Sequence, residues 1–428
     1  MHRAPTAPNG AGSSAFLHRW QIRVFASTWL CYYGFYFGRQ AFSIVKSSVQ
    51  EEFSWQPSDV AVVWATYLIA YAFGGFTAAA SGSKIGPRRL LLAGMAVSIG
   101  ANVAFGFANN RWTFMAFMIL NGLAQATGWS GNVGTMAHWF RRSERGRVMG
   151  WWSTCYQIGA VMAKTFAAAV LGWLGWRYSF WGASLVLGGI WFFFYFLQRN
   201  RPEDVGLPPI ESEQASTGAP ADGPDPGWTR QLVTTIVLMG GFYFFVKCIR
   251  YALWSWAPFF LDLNFHVARD RAGYLSLAFD ACGLVGAIAG GWVSDRLFGG
   301  RRGLTVLIMI VGMMLATVFL ATLGSKSVTF FTVGIGLIGF MLFGPDSLIS
   351  GAGAIDVGSR KRAIAAAGII NGMGSCGAVL QELVIGNLYQ RDATNLTPIF
   401  TALMLSAMAA TIIITLLVLR ARVGKCNL

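Results

Sequence analysis

A chain of 428 residues that is 55% hydrophobic and only 12% charged is too apolar to fold in water, where proteins carry about 25% charged residues. Its apolar runs continue for about 20 residues, which excludes the short alternating segments of a membrane β-barrel and predicts an all-α membrane protein. The net charge of +15 would suggest nucleic acid in a soluble protein; here its placement in alternate loops reads as membrane topology instead.

In chain order, residues 1–21 read as a cytoplasmic tail, with no signal-peptide core before Arg23. Apolar runs follow at about 22–46, 58–80, 88–108, 112–139, 147–171 and 177–198. Residues 199–230, rich in Pro, Gly, Ser and Glu, have the composition of a flexible linker. A second group of runs lies at about 232–262, 271–294, 303–323, 328–355, 363–390 and 396–419. The sequence therefore predicts twelve transmembrane helices in two six-helix halves, 22–198 and 231–420, with a short tail at 421–428. Of the 33 Lys and Arg, 22 fall in the termini and alternate loops, from Arg3, Arg19 and Arg23 to Arg420, Arg422 and Lys425. The positive-inside rule places that set, and both termini, in the cytoplasm. Five of the six cysteines lie in apolar spans without metal spacing and read as packing residues.

Five cations lie within spans: Arg39, Lys46, Lys164, Lys247 and Arg250. Arginine at the centre of a bilayer helix costs at least about 2.5–3.5 kcal/mol, so it marks function by default. On span 1, Tyr32, Tyr36, Arg39, Ser43 and Lys46 share one face; on span 7, Tyr243, Lys247, Arg250 and Trp254 do the same. No carboxylate stands on either stripe. Un-neutralised cations facing a shared cavity would repel one another, and a dianion would relieve that strain. A guanidinium fork suits bidentate binding of phosphate or carboxylate oxygens. Lys46, near the outer end of its span, also fits snorkelling to the interface. Acidic residues near the spans are few, among them Asp280, Asp346, Asp356 and Glu382. Asp280 suits a state-dependent ion pair with a lysine such as Lys164; equally, Asp280 or Asp346 suits carriage of a coupling proton. No nucleotide fingerprint, metal spacing or nucleophile–base motif is present, so neither an enzyme nor a cofactor is expected.

The string Gly291-Trp-Val-Ser-Asp295-Arg296-Leu-Phe-Gly299-Gly300-Arg301-Arg302 after span 8 resembles the signature loop of the major facilitator superfamily. The loop after span 2 has Ser83 and Lys84 where that signature has its acidic residue and arginine. The resemblance implies that Asp295 and Arg296 help to hold a cytoplasmic gate. Tyr36-x-x-Arg39, Asn121-Gly-Leu-Ala-Gln-Ala-Thr-Gly-Trp129, Arg201-Pro-Glu-Asp-Val-Gly206-Leu, Arg250-Tyr251, Phe343-Gly344-Pro345 and Ala354-Ile-Asp356-Val-Gly358 extend it through both halves. Together these segments resemble the organophosphate–phosphate antiporters of that superfamily.

That resemblance implies exchange of a sugar phosphate or three-carbon phosphate for inorganic phosphate by alternating access, with Arg39 and Arg250 on the phosphate. Lys247 matches a lysine of some eukaryotic members, and Tyr156 falls where glycerol-3-phosphate transporters place a substrate-contacting histidine. A family lysine on helix 2 is replaced here near Gly75, and Gln40 stands where bacterial members often have lysine. The expected substrate residues are thus Arg39, Arg250, Lys247, Lys46, Tyr36 and Tyr156, with Asp280, Asp295, Arg296 and Lys164 in gating or coupling. The expected partners are a small phosphorylated anion, inorganic phosphate and lipid, for a monomer in a bacterial inner membrane or a eukaryotic endomembrane. The same stripes would also serve a membrane-embedded hexose-phosphate sensor, or a transporter of phosphonates or carboxylates.

Overall fold

The computed structural model describes residues 11–55, 57–210, 227–267, 269–299, 301–391 and 395–424, and no strand occurs among them. The helices are α1 (Ala11–Glu52), α2 (Pro57–Ile85), α3 (Pro87–Phe105), α4 (Arg111–Trp139), α5 (Arg142–Trp152), α6 (Thr154–Leu174) and α7 (Trp176–Leu197). After the linker come α8 (Arg230–Phe265), α9 (Arg269–Arg296), α10 (Arg302–Leu323), α11 (Val328–Ser347), α12 (Ala354–Arg391) and α13 (Thr397–Arg422). Residues 211–226, the centre of the expected linker, lie outside the described residues.

Ten helical stretches among the described residues are long and apolar enough to cross a membrane. The chain is a multi-pass membrane protein. Helices α1 and α4 have the length, with 42 and 29 residues, but not the apolarity. In α4 the reason is visible: Asn121, Gln125, Ser130, Asn132 and Thr135 are all buried. Its polar residues point into protein, where hydrogen-bond partners replace the water that lipid cannot supply.

Helix ends follow from local chemistry. Pro87 opens α3 at a position whose N–H would have no intrahelical partner. Asn110, Thr229 and Ser327 cap α4, α8 and α11 by accepting from the amides of Thr113, Leu232 and Phe330.

The helices group into two compact units. The first comprises residues 1–141, 155–225 and 358–368; the second comprises 142–154, 226–357 and 369–428. In the first, Ile364 packs with Ala78 and Leu90. At the ends of α1 and α7, Glu52 accepts a two-armed contact from Arg177, at 2.7 and 3.1 Å, and the Trp176 indole N–H. Those hydrogen bonds, Arg177's first, hold the Glu52 carboxyl below the usual glutamate range. A depressed carboxylate pKa adds stability above the unfolded value, and that contribution disappears as pH falls through the folded one. Glu52→Gln should therefore lower the melting temperature at pH 7, with the gap to wild type closing as pH drops below about 4. A gap independent of pH would show that the charge is not involved.

In the second unit, glycine allows two helices to meet closely. A Cβ at Gly286 would collide with the Phe340 carbonyl, and one at Gly339 with the Phe279 carbonyl. Helices α9 and α11 thus approach backbone to backbone, as small residues permit between membrane helices. Between α11 and α12 the chain winds through a π-helical stretch, Leu348–Gly353, with all six residues buried. Helix α5 belongs to this unit too: Gly150 packs on Ala287, and Gly291 on Gly146.

Candidate functional site

Arg39 is buried on α1 with 8% exposure. Its Nε donates to Gln125 Oε1 on α4 at 3.0 Å, and the Tyr67 hydroxyl donates to the same oxygen at 3.1 Å. Gln125 Nε2 donates in turn to Asn121 Oδ1 at 3.1 Å, and Asn121 Nδ2 to the Gly38 carbonyl at 3.1 Å. The loop of bonds returns to the residue beside Arg39, which fixes the amide and one edge of the guanidinium. Tyr36 and Tyr71 present their rings to Arg39 at 4.7 and 4.9 Å, a cation–π arrangement that strengthens without water. Among the described residues no carboxylate pairs with Arg39, and its Nη2 is buried without a hydrogen-bond partner. A buried unsatisfied donor on a charged group is costly. An anion would satisfy it.

Arg250 on α8 is held differently. Its Nη1 donates to Asp346 Oδ2 on α11 at 3.0 Å, and that carboxylate is fully buried. The Phe343 ring, one turn before Asp346, lies 4.8 Å from the guanidinium carbon. This corrects the expectation of un-neutralised cations on both stripes. The carboxylate is absent from span 7 itself but arrives from another helix, 96 residues away in sequence.

Lys247, one turn before Arg250, is buried and donates to Asn371 Oδ1 at 2.8 Å and Ser375 Oγ at 3.0 Å. Both acceptors are neutral and stand one turn apart on α12. Tyr156 on α6 is buried among the rings of Tyr32 and Trp129. Lys164 on α6 belongs to the first unit and Asp280 on α9 to the second; both are half-buried. Lys46 lies on α1, but its side chain is outside the described residues.

A second charged cluster surrounds the loop after α9. Asp295 accepts from Arg302 Nη1 and from the Arg147 amide at 2.5 Å. Arg302 Nη1 also donates to Ser294 Oγ at 2.9 Å, and its Nε to Asp356 Oδ2 at 3.4 Å. Asp356 takes Arg145 Nη1 at 2.7 Å on its other oxygen. Arg302 is fully buried, whereas Arg296 at the end of α9 is exposed. The arginine on Asp295 is therefore Arg302. Arg145 and Arg302 belong by position to the 22 basic residues of the termini and alternate loops, for which topology alone is the expectation; their burial against two aspartates corrects that. Gln125, Tyr67, Tyr71, Asn371 and Ser375 are contacts that the sequence expectations do not include. The available signal was the i, i+4 spacing of buried amides and hydroxyls, Asn121 with Gln125 and Asn371 with Ser375.

A model of the Major Facilitator Superfamily matches residues 28–381. The chain belongs to that superfamily. This major facilitator is 26% identical over 391 residues to a probable hexose phosphate transport protein of Chlamydia pneumoniae, covering 86% of this chain and 85% of the relative. It is 29% identical over 375 residues to a glycerol-3-phosphate transporter of Bacillus subtilis, covering 84% of each. It is also 27% identical over 382 residues to the membrane sensor protein UhpC of Salmonella typhimurium, again covering 84% of each. These relatives are transporters and a sensor, not enzymes.

Proposed function

We propose that this major facilitator is an organophosphate–phosphate antiporter. Arg39 and Arg250 hold the phosphoryl group, while alternating access carries it across the membrane. The observation that carries the reading is Arg39: a buried guanidinium with one edge pinned by Gln125, two tyrosine rings beside it, and Nη2 without a partner. Such a fork is preorganised for a doubly charged oxyanion. Relatives named for hexose phosphate and glycerol 3-phosphate support the same ligand class.

In this reading twelve spans form two six-helix halves, 22–198 and 231–420, around a cytoplasmic linker. A monomer lies in an inner membrane with both termini in the cytoplasm. Lys247 and Tyr36 assist the arginines, Lys46 adds charge at the outer end of its span, and Tyr156 shapes the pocket for the organic moiety. Asp295 belongs to the gate, with Arg296 beside it, and Asp280 and Lys164 serve coupling. Inorganic phosphate and an organophosphate share one dianionic group, so one site serves both.

Proteoliposomes loaded with radiolabelled phosphate test the exchange. Label should leave when phosphate or an organophosphate is supplied outside, and stay inside in ligand-free buffer. Equal efflux into both would sink obligate exchange. The sensor relative favours a second reading, in which the same anion site signals rather than carries. Binding of hexose phosphate without any counterflow would select it.

A further inference from the structure

The two arginines are not equivalent, and the difference bears on which anions this protein accepts. Arg39 has no carboxylate partner among the described residues, whereas Arg250 is met by a carboxylate built into α11. Asp346 is fully buried and its Oδ2 lies 3.0 Å from Arg250 Nη1. Phe343 and Asp346 reach Arg250 from the same face of α11, one turn apart. Beyond Ser347 the chain enters the π-helical stretch, where Ser350 Oγ donates back to the Asp346 carbonyl at 2.5 Å.

We infer that Asp346 is a specificity-determining residue: a tethered carboxylate that occupies Arg250 until a phosphoryl dianion displaces it. The inference rests on the phosphate reading above and refines it. A carboxylate held beside a guanidinium acts at a high effective concentration. A dissolved carboxylate offers Arg250 the same chemistry that Asp346 already supplies, so it gains little by replacing it. A phosphoryl dianion concentrates two charges and three oxygens on one group, whereas a dicarboxylate spreads its two charges over separate groups, so the phosphoryl group wins the exchange at Arg250. The carboxylate therefore sets a threshold: every anion meets the same displacement cost, and only one that grips Arg250 strongly still binds at working concentration. Apparent affinity for every anion falls by the fraction of time that Arg250 is free. A pair closed nine-tenths of the time costs about tenfold. Asp346 acts through Arg250 and does not itself touch the ligand.

The test measures binding of inorganic phosphate and of succinate to the purified full chain in nanodiscs, for wild type, Asp346→Asn and Asp346→Glu. Wild type should bind phosphate and exclude succinate. Asp346→Asn should bind phosphate at least about tenfold more tightly and should acquire succinate binding. Asp346→Glu, which restores the tethered charge, should return to the wild-type pattern. A purely structural residue would weaken binding when replaced, so the gain in affinity is diagnostic. Placing Asp346→Asn on an Arg250→Lys background should remove most of that gain. If wild type binds phosphate while folded Asp346→Asn binds it equally or more weakly and still excludes succinate, the inference is overturned. If Asp346→Asn does not fold, Asp346→Glu decides: wild-type selectivity supports the inference, and free succinate binding overturns it. Absence of phosphate binding in wild type and all variants would instead overturn the phosphate reading, and the inference with it.

Discussion

Arg39→Lys should reduce phosphate exchange by at least about 30-fold. Truncating one partner of a buried, hydrogen-bonded charge contact costs about 2–5 kcal/mol, and each 1.4 kcal/mol is a factor of ten. Lysine keeps the charge but not the geometry. It cannot reach Gln125 with one nitrogen while offering others to an anion, because its donors share a single atom. The Gln125 Oε1 that now accepts from Arg39 would keep only Tyr67. The Tyr36 and Tyr71 rings would lose the guanidinium that they now face. The measurement is radiolabelled phosphate counterflow in proteoliposomes at matched protein density. Exchange within threefold of wild type would remove Arg39 from the site. A parallel Gln125→Leu variant separates contact from positioning: it should keep the charge, weaken binding less than Arg39→Lys, and leave the expressed protein folded.

The second large effect concerns stability rather than transport. Arg302→Ala should destabilise the protein by about 3–5 kcal/mol, the cost of removing one partner from a buried ion pair. Arg302 is fully buried, and among the described residues its loss leaves Asp295 with the Arg147 amide and Ser294 without its donor. Asp356 would lose its contact with Arg302 and keep the one with Arg145. The matched control is Arg296→Ala, six residues earlier and exposed, where a change within about 0.5 kcal/mol is expected. Denaturant titration of both variants in the same mixed micelles compares them directly. Similar midpoints for the two would mean that the buried cluster contributes no more than a surface charge.

The helices were the most legible part of the chain, since composition and run length leave a bilayer protein little alternative. Arg39 was legible for the same reason: no snorkelling path suits an arginine at mid-span. The pairing of Arg250 was not. Asp346 and Arg250 stand on different helices 96 residues apart, and nothing in either span's periodicity says which helix faces which. The same limit hid Gln125, which is 86 residues from Arg39. It appeared in the sequence only as part of a family marker, because its role depends on α1 meeting α4. For Arg302 the difficulty was ambiguity of cause. Basic residues at helix ends satisfy the positive-inside rule wherever they point, so only burial could distinguish an ion-pair partner from a topology signal.

The π-helical stretch has a mechanical meaning beyond its local geometry. Asp346 lies just before Leu348–Gly353 and Asp356 just after it, each carrying an ion pair to a different helix. A π turn is underwound relative to an α turn, so this short stretch sets the azimuth of one aspartate with respect to the other. The six residues thus fix how far apart in rotation the two carboxylates stand, and with them the two arginine-bearing helices that the aspartates grip.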